Sequence, residues 1–237
     1  MSDSFAKRSK LSHNKIFALG FRAFAFLFAV WGVLAIMGVF KNAFQPMGLM
    51  MYTVQSNILV AVFFGVLLAK TVLSICGGEK RPVSSEKPYG FFPRLSAIVT
   101  LAIFVTMLIY WCILVPIAPG TGIRRFLAPD NLAEHLITPL LMLADYLIFT
   151  ERGKLKKYDP LLCTIIPYIY LAQVMTLGLT RTVKYDFIGS DSHFPYIFLD
   201  VDIFGAWVIL MIAGITVFFL GIAFSWRLLD KKLGQRT

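Results

Sequence analysis

Thr53 stands in a short polar run that opens a long apolar stretch, and its hydroxyl is of a type that could do chemistry. The polar run extends from Tyr52 to Asn57, and the apolar stretch continues to Leu73. Residues three and four apart share one face of a helix, so Thr53, Ser56 and Asn57 would lie together. Polar groups are costly inside hydrocarbon, and such a cluster therefore indicates a functional site. The alternative is interhelical hydrogen bonding.

His135 is the second residue of interest, and it lies near the start of another apolar stretch. Asn131 at the N-cap and Glu134 three residues later resemble a capping box, which predicts a helix start. Pro139 lacks the amide hydrogen that would bond the His135 carbonyl, which predicts a kink. The nearby helix start favours the neutral imidazole, the form that accepts a proton. A hydrogen bond to a neighbouring helix is again the alternative.

Thr53 and His135 are expected at similar depths in a membrane. Each follows the start of its apolar stretch by three or four residues. With a rise of about 1.5 Å per residue, both side chains would lie roughly 5 Å inside the hydrocarbon edge. A hydroxyl and an imidazole at one level can act as nucleophile and base if their helices pack together. The sequence predicts equal depth and leaves contact open.

Other polar residues could complete such a site. Ser56 and Asn57 are candidate donors to an oxyanion, with interhelical hydrogen bonding as the alternative. Gln173 could line the same cavity. Asp200 could orient His135, although a solvated loop end is the simpler interpretation.

The composition indicates a polytopic membrane protein. Of 237 residues, 58% are hydrophobic and 15% are charged, and the mean hydropathy is +0.74. The formal net charge is +10, but the basic residues lie between apolar runs, which argues against a nucleic-acid partner. The three cysteines have no metal or redox spacing. We therefore predict free thiols, no metal site and no cofactor.

Apolar runs predict an all-α fold with six transmembrane helices. A 15-residue N-terminal tail precedes them, and a short tail follows from residue 230. Residues 16–229 form the transmembrane domain, with spans predicted at 16–40, 50–73, 92–115, 131–149, 161–179 and 203–229.

The basic residues also predict an orientation in the membrane. The two tails, two of the loops and the flanks of the spans hold 18 of the 23 Lys and Arg, and the other three connectors hold five. The positive-inside rule then places both termini in the cytoplasm, as in a multi-pass protein of the cell membrane. Thr53 and His135 would face the extracytoplasmic leaflet. Arg22 is expected to snorkel to the headgroups, and anionic lipids would contact the basic loops.

Three segments resemble a known six-transmembrane family. They are YTVQSN in the second span, NLAEHLITPLLMLADYLIF with its His-x-x-x-Pro through the fourth, and FPYIFLDVDIFG before the sixth. They are similar to the androgen-induced and androgen-dependent TFPI-regulating proteins and their bacterial relatives. The resemblance implies intramembrane hydrolysis of fatty acid esters of hydroxy fatty acids by one Thr and one His. It carries these roles onto Thr53 and His135.

The leading hypothesis is therefore a lipid-ester hydrolase with the bilayer and a lipid ester as partners. A small transporter or lipid-binding membrane protein is the alternative, in which the polar level binds a ligand without covalent chemistry. A third interpretation, an assembly partner, predicts that no enclosed cavity lies at that level.

Overall fold

The structure is a computed structural model that describes residues 13–77, 87–117, 126–185 and 192–235. It is all-α, with six helices long and apolar enough to cross a membrane. They are α1 (Lys15–Ile36), α2 (Tyr52–Ile75), α3 (Pro93–Leu114), α4 (Pro129–Phe149), α5 (Asp159–Leu179) and α6 (Trp207–Gly234). The predicted fold class and six spans are confirmed. The chain is a multi-pass integral membrane protein.

Local sequence signals explain where several helices begin. The Asn14 side chain accepts hydrogen bonds from the amides of Ile16 and Phe17 at 3.0 and 3.1 Å, which caps α1. α6 begins at Trp207, four residues later than predicted, because Gly205 adopts a positive φ of 54° and ends a preceding helical turn, Val201–Phe204. α6 ends at Gly234, whereas the sixth span was predicted to end at residue 229.

A stripe of small residues lets α1 pack closely against its neighbours. Buried small residues recur along one face at spacings of seven, four and three residues: Ala18, Ala25, Ala29 and Gly32. A Cβ atom at Gly32 would stand 3.3 Å from the Cβ of Ala133 in α4. Small side chains at these positions permit short distances between helix axes.

A buried ion pair ties α1 to α4. The Arg22 Nε donates to Asp145 Oδ1 at 2.8 Å, and its Nη1 donates to the Thr71 hydroxyl of α2 at 2.7 Å. The Arg22 guanidinium also lies over the Phe149 ring. The prediction that Arg22 snorkels to the headgroups is therefore wrong, because Arg22 and Asp145 are both buried. The two charges neutralise each other inside the helix bundle.

The outer faces of the helices are apolar and exposed. Ile209 and Val217 on α6 are 69% and 71% exposed. Because these side chains belong to a membrane-spanning helix, the lipid bilayer is the solvent that covers them. The predicted contact with the bilayer is confirmed.

Candidate functional site

The structure brings Thr53 and His135 together, 82 residues apart in the chain. Thr53 lies in the first turn of α2, and its hydroxyl oxygen is 3.2 Å from His135 Nε2 in α4. His135 is 5% exposed. The contact that the sequence leaves open is present in the fold, at the distance expected of a nucleophile and its base.

The other imidazole nitrogen determines the tautomer. His135 Nδ1 is 3.0 Å from the backbone carbonyl oxygen of Asn131. A carbonyl oxygen only accepts, so Nδ1 carries the hydrogen of the neutral ring and Nε2 keeps its lone pair. The Thr53 hydroxyl therefore donates to Nε2, and the imidazole is in the form that can take the threonine proton.

A π turn in α4 places His135. Residues Ala133–Ile137 form this turn, and the amide of Thr138 bonds the carbonyl of Ala133, five residues back. The Thr138 amide thereby leaves the Glu134 carbonyl without its usual donor, and Pro139 has no amide hydrogen for the His135 carbonyl. The Asn57 side chain donates to the Glu134 carbonyl at 3.2 Å, and Trp111 Nε1 donates to the His135 carbonyl at 2.9 Å.

The start of α4 differs from its prediction. The helix begins at Pro129, with Ala128 as N-cap residue, and the Asn131 amide donates to Asp130 Oδ1 at 3.1 Å. The predicted capping box of Asn131 and Glu134 is therefore wrong. Proline at the first helical position starts the helix two residues earlier, and Glu134 turns into the bundle, where it is fully buried.

Tyr110 forms one wall of the His135 site. Its ring stacks on the imidazole with 3.5 Å between ring centroids and 19° between planes. Its hydroxyl donates to Asn131 Oδ1 at 3.2 Å. Tyr110 is buried, and Trp111 donates to the His135 carbonyl, so both aromatic residues contact the part of α4 that carries His135.

Tyr196 is a site residue that the sequence analysis missed. It lies in the connector before α6, and its hydroxyl has the Thr53 hydroxyl and the first-turn amides of Tyr52 and Thr53 as hydrogen-bonding neighbours. Burial raises the pKa of Tyr196 above its usual value, so the phenol keeps its proton at neutral pH. The segment FPYIFLDVDIFG contains this tyrosine and was the available signal.

An apolar cavity of about 120 Å³ opens beside Thr53. Its lining comes from the first turn of α2, from α3, α5 and α6, and from the connector before α6; the residues used below are Thr53, Tyr110, Tyr196, Ile215 and Thr216. Lining positions on α3 run from Val105 to Leu114, about 13 Å of helix axis. The cavity is therefore long, and its polar groups are mainly hydroxyls.

Ser56 and Asn57 lie one turn from Thr53 but direct their donors elsewhere. The Ser56 hydroxyl donates to the Thr53 carbonyl at 3.0 Å and is 3.1 Å from the Thr106 hydroxyl. The Asn57 amide donates to the Thr53 carbonyl at 2.9 Å as well as to Glu134. Both amide hydrogens of Asn57 are thereby used, and the structure gives it a helix-linking position.

Gln173 and Asp200 are not brought to His135. Gln173 accepts from Gln55 at 3.2 Å and donates to the Met50 sulfur at 3.4 Å, near the start of α2. Asp200 is buried; it accepts from the Ser192 hydroxyl at 2.6 Å and caps the turn Val201–Phe204. The Asn131 carbonyl occupies the orienting position at His135 instead.

The described parts of the chain contain no group of three or more His, Cys, Asp or Glu placed to hold a metal ion. Comparisons of the chain with protein-family models, with curated proteins and with solved structures give no match. The geometry of the site and the sequence resemblance therefore carry the functional argument.

Proposed function

We propose that this protein is an intramembrane lipid-ester hydrolase with Thr53 as nucleophile and His135 as general base. One observation carries the proposal: the Thr53 hydroxyl faces a bare imidazole nitrogen at 3.2 Å while a backbone carbonyl fixes the opposite nitrogen. This is the arrangement that activates an otherwise weak hydroxyl nucleophile. An interhelical hydrogen bond alone would not require a fixed tautomer beside a cavity.

The first half of the reaction acylates Thr53. His135 Nε2 takes the hydroxyl proton as Oγ bonds the ester carbonyl carbon, and the carbonyl π electrons move onto oxygen. When the tetrahedral intermediate collapses, the alcohol oxygen leaves with the bonding pair and takes the proton from His135. In the second half, His135 deprotonates a water that attacks the acyl-threonine ester. The fatty acid leaves, and Thr53 regains its proton.

The negative oxygen of the intermediate needs donors, and Tyr196 supplies one. Its protonated hydroxyl is a hydrogen-bonding neighbour of Thr53 and lines the cavity. The first amides of α2 have no acceptor within their own helix, and the helix dipole adds positive potential there. A donor of this kind typically changes the rate by about 100- to 1,000-fold.

The cavity supports a substrate with a long apolar chain. Its walls are almost entirely apolar, with Thr53 and Tyr196 among its few polar groups. An acyl chain would lie in the cavity with its carbonyl carbon at Thr53. Fatty acid esters of hydroxy fatty acids fit this description, and the family resemblance favours them within the wider class of lipid esters.

The membrane orientation belongs to the same proposal. The bias of 18 basic residues against five supports cytoplasmic termini. α2 and α4 would then both start at the extracytoplasmic side, so the Thr53–His135 pair would lie in that leaflet of the cell membrane.

Ester hydrolysis by the purified protein tests the function. We expect turnover of long-chain lipid esters by the wild type and its loss in both Thr53→Ala and His135→Ala. Thr100→Ala is the control, because Thr100 is a buried threonine of α3 whose hydroxyl bonds the Ser96 carbonyl of its own helix. Undiminished turnover by Thr53→Ala would refute the proposal.

A lipid-binding or transport protein is the second candidate, and the cavity itself favours it. An apolar cavity with hydroxyl groups binds a lipid without covalent chemistry. If the protein only binds or transports lipid, the wild type and Thr53→Ala should both bind lipid, and neither should hydrolyse it.

A further inference from the structure

Glu134 is a buried carboxyl group that the proposed reaction does not use. Its side chain is 0% exposed, and neither carboxyl oxygen has a hydrogen-bond partner among the residues that the structure describes. Its Cγ lies 3.9 Å from the position of a Cβ at Gly32, so the group points into the contact between α4 and α1. Lys41 is not the counter-charge of Glu134, because its ammonium pairs with Asp130 at 2.6 Å.

Two more oxygens share this property, on residues that a hydrogen bond or helical spacing connects to Glu134. Asn57 Oδ1 and Thr138 Oγ1 are also buried without a hydrogen-bond partner in the described part of the chain. Asn57 is joined to Glu134 through the Glu134 carbonyl at 3.2 Å. Thr138 is four residues after Glu134, and this spacing puts both side chains on one face of α4.

These three side chains present many acceptors and few donors. Asn57 uses both amide hydrogens on carbonyls, so its oxygen can only accept. The two carboxyl oxygens of Glu134 and the Thr138 hydroxyl bring the total to four oxygens, with one hydroxyl hydrogen among them. A proton on Glu134 would add one further donor. A positive charge would satisfy all four oxygens at once.

An unpaired carboxylate in the interior of a membrane protein costs far more free energy than a bundle of this size can offset. Either a proton or a bound cation removes this cost, and four oxygens that all lack a donor favour the cation, because one proton supplies only one donor. Hard cations prefer carboxylate, amide and hydroxyl oxygens, which are the groups present here. One carboxylate balances one positive charge, so a monovalent ion leaves the site neutral, whereas a divalent ion would leave an excess charge buried.

We propose that Glu134, Asn57 and Thr138 form a binding site for a monovalent alkali cation of the size of Na⁺. Interrupted helices commonly supply ion sites within membranes, and the π turn of α4 is such an interruption. The site links α2 to α4 beside the Thr53–His135 pair, because Asn57 is one turn from Thr53 and Glu134 adjoins His135 in the chain. Cation binding would therefore stiffen the turn that aims the imidazole.

The test is thermal unfolding of the purified protein in detergent, with NaCl exchanged for choline chloride at constant ionic strength. A ligand that binds only the folded state raises the melting temperature, by about 5 to 10 °C when its concentration is a hundredfold above the dissociation constant. We expect this rise with Na⁺ in the wild type. Binding is measured without any substrate, so the result is independent of the proposed hydrolysis.

Three variants make the test specific. Glu134→Gln should lose the response to Na⁺, and Thr138→Val, which keeps the side-chain volume, should need about tenfold more Na⁺ for half the response. Glu151→Gln, at a partly exposed glutamate paired with Lys154, should respond like the wild type. If Glu134→Gln does not fold, Thr138→Val decides. The proposal would be overturned if Na⁺ did not change the melting temperature of the wild type. It would also be overturned if Glu134→Gln and Thr138→Val responded to Na⁺ as the wild type does.

Discussion

Three contacts fix the tautomer and the orientation of the His135 imidazole. The Asn131 carbonyl fixes Nδ1, the Tyr110 ring covers one face of the imidazole, and Trp111 bonds its backbone carbonyl. Each contact removes a freedom of the ring: its tautomer, its tilt and its position along the helix. Preorganisation of this kind lets a base act without reorganising during the reaction.

Tyr196 provides the sharpest prediction for a single residue. Tyr196→Phe keeps the ring and removes only the hydroxyl near Thr53. We expect kcat for ester hydrolysis to fall by about 100- to 1,000-fold with little change in KM, because an oxyanion donor acts mainly in the transition state. Steady-state kinetics on a long-chain ester measure both constants.

Tyr158→Phe is the matched control, since Tyr158 is 64% exposed and lies before α5. Its kinetics should equal those of the wild type. A Tyr196→Phe variant with wild-type kcat would remove Tyr196 from the reaction while leaving Thr53 and His135 in place.

Thr53 and His135 could be predicted from the sequence, but Tyr196 and the group that orients His135 could not. Both stand out because polar side chains are rare in apolar spans. Tyr196 does not stand out, because it is one of 35 aromatic residues and lies in a connector whose path only tertiary packing determines. His135 is oriented by the backbone carbonyl of Asn131, and because every residue has such a carbonyl, the sequence does not reveal this role.

Among the elements, α4 is shaped around His135 by Pro139 and the π turn. Pro139 lacks the amide hydrogen for the His135 carbonyl, which Trp111 bonds, and the π turn frees the Glu134 carbonyl, which Asn57 bonds. Pro139→Ala restores the donor and lets α4 close a regular helical bond to the His135 carbonyl. We expect lower hydrolytic activity with unchanged or higher thermal stability, because the imidazole turns away from Thr53.

Circular dichroism and activity assays on the same preparation check this prediction. Pro160→Ala is the control, because Pro160 lies in the first turn of α5, where a helix loses no internal bond to proline. Wild-type activity in Pro139→Ala would contradict a role for the π turn.

The cavity between α3, α5 and α6 should set the length of the acyl chain. Ile215→Phe adds volume at a lining position of α6. We expect kcat/KM to fall more for long-chain than for short-chain esters, because only a long chain reaches this position. A panel of esters that differ only in acyl length provides the measurement.

Val217→Phe is the control for this substitution, since Val217 is two residues away on the lipid-facing side of α6. It should leave the chain-length profile unchanged. An identical profile in Ile215→Phe would mean that the chain lies elsewhere.

Helix types and approximate helix starts were predictable, but the capping of α4 and the start of α6 were not. Apolar run length specifies a transmembrane helix regardless of its neighbours, so six spans were predicted and the described residues contain six. The start of α4 was misplaced because Asn131 and Glu134 resemble a capping box, whereas the helix begins earlier, with Pro129 at its first position. That shift explains why Glu134 is buried instead of capping.

In the whole molecule, the six described helices fall into two groups. α1, α2 and α4 are tied by the Arg22–Asp145 pair and by close packing on small residues of α1, and α3 packs against α2 and α4. α5 and α6 are the least buried of the spans, and a Tyr168–Thr216 hydrogen bond of 2.9 Å joins them beside the cavity.

The orientation in the membrane has its own test. Cys76 is exposed and directly follows α2, at the end of the helix that the charge bias assigns to the cytoplasm. In a Cys112→Ser background, which removes the other exposed thiol, a membrane-impermeant maleimide should label Cys76 only after the cells are permeabilised. Gln45→Cys in a Cys76→Ser, Cys112→Ser background, in the exposed connector before α2, should be labelled in intact cells. The reverse pattern would invert the topology.

The most direct measurement of the central claim is the site of covalent modification by a fluorophosphonate probe, which reacts with an activated hydroxyl. In the wild-type protein we expect one adduct, on Thr53, because the His135 Nε2 atom lies 3.2 Å from its oxygen. Peptide mass spectrometry locates the adduct, and both Thr53→Ala and His135→Ala should abolish it. An adduct on another residue, or labelling that persists in Thr53→Ala, would contradict the account.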